Sequence, residues 1–552
     1  MAAGEGVDLS APLALSAGRE PDRPAIVFIE GRREAAWSFG RLNHEADLLS
    51  RGLAAVGVGR GTRVVLMVRP GPEFFALTFA MFRMGAVPVI VDPGMGRRSL
   101  GECLKTAEPE AFIGAPLAHA ARSLLGWARG TLRTNIVVGP RILPGLRTLT
   151  EVRGLGLRGP AAGPGLPGYW RARSRSDETA AVLFTSGSTG VPKGAVYTHG
   201  NFAAQVAMLR DHFGIAPGEV DLPTFPLFAL FAPALGMTAV IPEMDFTRPG
   251  SVRPENIIGP VVRHRATHLF GSPALLDRVG RFGESRGVKL PSLKRVVSAG
   301  APVPAKVVAR FQKLLAPGVE VHTPYGATEA LPVCSIGGAE ILSETQRLSE
   351  AGAGACLGRP LPGVDLRVIR LDDAPIPRWS DDLLAGPGEV GELVVRGPNV
   401  TARYFGRPDC DALAKIERPD GGFYHRMGDL GRLDGAGRVW FCGRKAHRVV
   451  AEQGTLFSVP CEGVFNAHRA VSRSALVGVG RAPRQRPVIV IELEQGERPS
   501  QRLEREFLAL GASNALTAPI RDLRFHPRLP VDIRHNAKID RESLAKWASR
   551  RP

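Results

Sequence analysis

Apolar residues recur every three to four positions through FGRLNHEADLLSRGLAAVG (39–57) and again through PEFFALTFAMFRMG (72–85), which predicts two helices, each with an inward face. Short continuous apolar runs sit beside them, RVVLMV (63–68) and AVPVIVD (86–92), and read as buried strands. Helix and strand signals keep alternating to about residue 440, as in parallel sheets covered by helices, so the class is α/β. Gly and Pro crowd the stretch from Arg153 to Glu178, which reads as an exposed connection ahead of the strand AAVLF (180–184). After GRVWFCGRK the pattern changes to separate strands, SALVGVG and PVIVIEL, mixed with helices. We therefore expect a large N-terminal domain of stacked sheets with flanking helices, 1–443, and a small, mobile α+β C-terminal domain, 444–552. No fixed-period repeat is visible.

A chain of 552 residues exceeds a single hydrophobic core, in line with that division. Composition then excludes whole classes of function. The longest apolar run is broken by Arg83, and the first residues lack a basic segment followed by an apolar one, so neither a membrane span nor secretion is expected. Six scattered cysteines show no metal-ligand spacing and fit a reducing, cytoplasmic setting. The net charge of +18 admits nucleic acid, an anionic surface, acidic small molecules or an acidic partner protein. Its arginines are dispersed, without a basic run interleaved with aromatics, so nucleic acid is not expected as a partner.

The chemistry concentrates in LFTSGSTGVPKGAVY (183–197). Thr185, Ser186, Gly187, Ser188, Thr189 and Gly190 offer hydroxyls and uncovered backbone N–H groups, and Lys193 adds a full charge, a combination suited to a polyphosphate. The phosphate loop of nucleotide hydrolases places Ser or Thr directly after its lysine. Here Gly194 and Ala195 follow Lys193, so this is a different nucleotide loop.

With its later blocks the chain resembles the adenylate-forming superfamily, which includes acyl-CoA synthetases and luciferase-like ligases. These blocks are TSGSTGVPKG, SAGAPVP (298–304), TPYGATE (323–329), GEVGELVVRGP (388–398), RMGDLGRLD (426–434), GRK (443–445) and Lys538. The resemblance implies the adenylate-forming enzyme fold, with ATP and Mg²⁺ as cofactors. It places Gly300, Ala301, Pro302 and Gly326 at the nucleotide, Tyr325 against adenine and Thr328 at the α-phosphate. Glu329 would help hold Mg²⁺, whose preference for oxygen ligands suits a carboxylate. Asp429 would accept hydrogen bonds from the ribose hydroxyls, with Arg444 beside it. Lys538 would carry the charge to the reacting carboxylate and α-phosphate.

Departures from the superfamily pattern narrow the reading. Ala446 replaces the usual Asp or Lys hinge residue, and AEQGTLFSVPCEGVFN (451–466) alters the surface that would face a thiol acceptor. VDLPTFPLFALFAPALG, FGSPAL, TPYGATEALPV, AGAGACLG and VDIRHNAK are similar to the olefin β-lactone synthetases of bacterial long-chain hydrocarbon biosynthesis. That similarity implies a long-chain 2-alkyl-3-hydroxy acid as substrate and neighbouring olefin-pathway enzymes as partners. Phe225, Phe228, Ala229, Phe231 and Gly271 are the expected acyl-pocket residues. A long-chain acyl-CoA or acyl-AMP ligase and a non-catalytic assembly scaffold remain as alternatives. His199, His268, His322 and His425 lie near motifs, and none is singled out as the base for ring closure.

Overall fold

The computed structural model describes residues 6–31, 33–92, 95–158, 174–185, 192–531 and 539–550. Three large sheets build the first four-fifths of the chain. The first has seven strands in the order Lys193–Thr198, Thr179–Thr185, Val87–Ile90, Arg63–Met67, Ala111–Gly114, Thr134–Val137 and Arg147–Thr148. All neighbours run parallel except the outer pair, where Thr185 stands opposite Lys193. The second has nine strands, with a parallel centre formed by Val321–Ala327, Arg295–Ser298, His268–Gly271, Val220–Pro223, Thr238–Ile241 and Pro24–Glu30. The third is antiparallel, and its strands Phe423–Leu433 and Val439–Arg444 carry the RMGDLGRLD and GRK blocks.

The expected helices are present as Phe39–Ala55 and Pro72–Met84. The second is buried on nearly every side because it lies between the first two sheets, with Phe74, Phe75, Leu77, Phe79 and Met81 in one continuous core. The proposed connection from Arg153 needs correction. Leu149–Arg158 is a helix that packs on Phe39–Ala55, where Arg153 reaches Glu45 at 2.9 Å. Gly156, read from sequence as loop punctuation, serves close helix packing instead. A Cβ at Gly156 would lie 2.2 Å from the Leu48 carbonyl oxygen, and one at Gly52 2.1 Å from that of Val152.

Beyond the third sheet, the hairpin Val449–Ala451/Gly454–Leu456 leads into a three-stranded sheet, Val471–Val479, Arg486–Leu493 and Asp522–Phe525. Helices Ser458–Asn466, Gln501–Ala512 and Arg541–Ser549 cover it. Its contacts with the rest include Lys306 to Glu494 at 2.7 Å and the Asn514 amide to the Ala351 carbonyl at 3.1 Å. All six cysteines are free thiols. Among the described residues no helix is long and apolar enough to cross a membrane.

Gly156→Ala should lower stability in urea or thermal unfolding by about 1–3 kcal/mol, because the new methyl meets backbone that cannot yield. Gly154→Ala, whose Cβ would have only the Arg158 side chain within 4 Å, at 3.8 Å, should be neutral or slightly stabilising.

Candidate active site

A cleft of about 4170 Å³ opens where the second and third sheets meet the C-terminal segment. One wall is polar. Tyr325 lies near the end of a strand of the second sheet, and its hydroxyl donates to Asp429 Oδ2 at 2.6 Å. Arg444 lies directly across the ladder from Asp429, and its Nη1 donates to Oδ1 at 2.8 Å. The Asp429 side chain is only 7% exposed, so both oxygens are held by charge or hydroxyl where water contributes little. Burial and the adjoining carboxylate raise the Tyr325 phenol well above its ordinary range, keeping it a neutral donor.

Thr328 and Glu329 form the turn between the strands Val321–Ala327 and Ala330–Gly337. This turn is fixed from three sides. The buried Tyr197 hydroxyl donates to the Thr328 carbonyl, and Thr401 donates its N–H to the Glu329 carbonyl at 2.8 Å. Tyr404 donates its hydroxyl to Glu329 Oε1 at 2.8 Å. Lys193 lies 5.2 Å from the Tyr404 ring centre and Lys415 5.9 Å from it, so two lysines flank the ring whose hydroxyl holds Glu329. Lys415 also donates to the Thr401 carbonyl. Burial drives its ammonium down to about 7, against the pull of Glu329 and Asp411.

The opposite wall is aromatic. Phe228 packs edge-on against Phe225 at 5.0 Å and against Phe270 at 4.6 Å, with Phe231 at 6.3 Å. Their segment is two single-turn helices, Pro226–Ala229 and Phe231–Ala234, which turn these rings toward the cleft. Two expected pocket residues are placed elsewhere. Ala229 is 1% exposed and packs into the core behind the segment. Gly271 is buried against Leu275 and Leu276, where a Cβ would approach within 2.6 Å, so its lack of a side chain serves strand-to-helix packing.

Lys193, Gly300, Ala301, Pro302, Tyr325, Gly326, Thr328, Glu329, Asp429 and Arg444 all line the cleft. Ser186, Gly187, Ser188, Thr189, Gly190 and Lys538 lie outside the described residues, as does the side chain of Thr185. Val531 and Ile539 form a bridge on the cleft wall. Arg541, two residues further on, is 2.7 Å from Glu462, which desolvation holds above the usual carboxylate range. At the GRK block, Lys445 reaches Glu392 at 3.0 Å, and Glu392 is also held by Arg426 at 2.7 Å.

Of the four histidines near motifs, His268 and His425 reach the cleft, whereas His199 is packed at the start of its helix with its imidazole pushed down to about 4 by burial. Sequence reasoning missed Tyr197, Thr401, Tyr404 and Lys415. Lys415 left a faint signal as a charge between apolar positions in LAKIE, while the other three needed the packing of distant segments.

The model of the AMP-binding enzyme family matches residues 13–405. The chain is 47% identical to an olefin beta-lactone synthetase of Stenotrophomonas maltophilia and 46% identical to one of Xanthomonas campestris pv. campestris. These alignments cover 98% of this chain and 98% and 97% of the relatives. Among solved structures, the amide bond synthetase McbA from Marinactinospora thermotolerans shares the fold, with a TM-score of 0.79 and 22% identity over 98% of this chain and 99% of that one. The chain belongs to the AMP-binding enzyme family, within its olefin beta-lactone synthetase group.

Proposed function

We propose that this enzyme uses ATP to convert long-chain 2-alkyl-3-hydroxyalkanoic acids into β-lactones, with release of AMP and diphosphate. The observation that carries this reading is the meeting, in one cleft, of the Tyr325–Asp429–Arg444 and Glu329 wall with the phenylalanine wall. A polar wall alone would serve many nucleotide enzymes. A two-faced cleft serves one that joins a nucleotide to a lipid acid.

On this reading the substrate carboxylate attacks the α-phosphorus, the bond to diphosphate breaks, and an acyl-adenylate forms. The 3-hydroxyl then attacks the carbonyl carbon, loses its proton, and the bond to AMP breaks. The nucleophile is already tethered, so orientation replaces a second substrate. Asp429 accepts from the ribose hydroxyls, Tyr325 borders the base, and Thr328 borders the α-phosphate. Lys193, the 185–190 loop and Lys538 offset negative charge. Mg²⁺ fits Glu329, a lone carboxylate with one oxygen taken by Tyr404, because this ion is commonly held by one or two carboxylates together with phosphate oxygens. When bound it would neutralise charge on the leaving diphosphate. The phenylalanine wall excludes water that would hydrolyse the mixed anhydride. The reading places the enzyme in the cytoplasm, beside enzymes that make the hydroxy acid and decarboxylate the lactone.

Purified protein with ATP, Mg²⁺ and a racemic long-chain 2-alkyl-3-hydroxy acid should yield AMP, diphosphate and β-lactone by mass spectrometry without coenzyme A. Turnover that waits for coenzyme A and gives only the thioester would identify an acyl-CoA ligase instead. Asp429→Ala should raise KM for ATP at least about tenfold, as expected for loss of a charge-assisted contact, while KM for the acid stays within about twofold.

A further inference from the structure

Beneath the phenylalanine wall the cleft meets a polar pair that neither nucleotide binding nor the reacting carboxylate uses. His268 and Asp221 face each other on neighbouring parallel strands, with His268 Nδ1 2.9 Å from Asp221 Oδ1. Both line the cleft. Asp221 is 5% exposed, and His268 Nδ1, His268 Nε2 and Asp221 Oδ1 are all buried without a hydrogen-bond partner among the described residues.

The strand register shows their depth. Side chains two apart on a strand share a face, so His268 lies on the same face as Phe270, about 6–7 Å further from the strand end that carries the aromatic cluster. Val206, Leu209 and Phe213, from the helix His199–Phe213, line the cleft too. The adjoining strand continues the polar layer. Arg295 stands in register with His268 and forms a buried ion pair with Glu219 at 2.8 Å. An apolar channel thus ends on a charged, buried layer.

We infer that the His268–Asp221 pair is the floor of an alkyl channel and sets the longest arm the enzyme accepts, an assignment that rests on the proposed acyl-adenylating function. A growing chain gains affinity, about fourfold per methylene, while it advances along phenylalanine and aliphatic walls. Once its end meets His268, a further methylene either buries polar atoms against hydrocarbon or displaces the pair, and the gain stops.

The test is a chain-length series of 3-hydroxy acids differing by one methylene, with kcat/KM read from diphosphate release. Wild type should rise with length and then break. His268→Ala should move the break two or more methylenes longer and raise kcat/KM for the longest acids about tenfold, leaving short acids within twofold. His268→Phe, which fills the channel and keeps the test alive if the alanine variant does not fold, should move it shorter. A break at the wild-type length in either folded variant overturns the assignment. Calorimetric titration with saturated fatty acids of the same lengths reads the break without turnover. Displaced breaks in an enzyme that makes no acyl-adenylate would uphold the floor and refute the chemistry, whereas lactone formation with unmoved breaks would do the reverse.

Discussion

One buried carboxylate organises the nucleotide side of this molecule. Asp429 sits where the second and third sheets meet, and its two oxygens are taken by groups from each: the Tyr325 hydroxyl from one and the Arg444 guanidinium from the other. A carboxylate so far from water is tolerable only when both oxygens are satisfied, so the two sheets must hold this relative position for the charge to be stable. Arg444 is also the last residue of its strand, and the small C-terminal unit follows it. The same ion pair therefore fixes the wall of the cleft and the end of the third sheet's last strand.

The Glu329 turn repeats the principle with different chemistry. Its carbonyls and carboxylate are gripped by Tyr197, Thr401 and Tyr404, the first from the first sheet and the other two from the connection that follows strand Gly391–Arg396 within the third. Lys415 binds that connection in turn through the Thr401 carbonyl. Burying this ammonium is unfavourable enough to bring it near neutrality, yet its position beside Glu329 and Asp411 offsets part of the penalty. A site that must handle a triphosphate gains from such rigidity, because donors already aimed at a developing charge need no reorganisation during reaction.

Much of this was legible in the chain because the motifs sit at strand ends, where short runs fix both the turn and the residue it presents. TPYGATE and RMGDLGRLD named Tyr325, Glu329 and Asp429, and the structure brings all three to one cleft. Side-chain direction inside DLPTFPLFALFAP was not legible. The segment folds as two single helical turns, too short for a periodicity to show which face Ala229 takes. Gly271 was ambiguous for a related reason: a missing side chain can make room for a ligand or for a neighbouring helix, and only the position of Leu275 and Leu276 decides. Gly156 misled in the opposite sense, since glycines at helix contacts and in loops look alike until the partner helix is known. Tyr404 and Lys415 act through segments 75 or more residues from Glu329, beyond the reach of any local pattern.

The segment that follows Arg444 bears on the choice between an internal and an external nucleophile. An enzyme that hands its acyl group to a separate thiol has to clear a path to the carbonyl after adenylation. One whose substrate carries its own hydroxyl has no such need, and a movement that admits solvent would expose the anhydride to hydrolysis. In this chain Lys445 is tied to Glu392, which Arg426 already holds in the body of the third sheet, and Arg448 is paired with Asp373. Between them lies Ala446, which has no charge to exchange between two sets of partners. His447 is neutral, its imidazole brought down to about 4 by burial and the nearby arginines Arg541 and Arg444. Of these contacts the Lys445–Glu392 pair is the buried one, whereas Asp373 is largely exposed and its pair with Arg448 is worth little. These contacts tie the segment after Arg444 to the third sheet in the arrangement observed, and a nucleophile carried by the substrate itself needs no further path to the carbonyl.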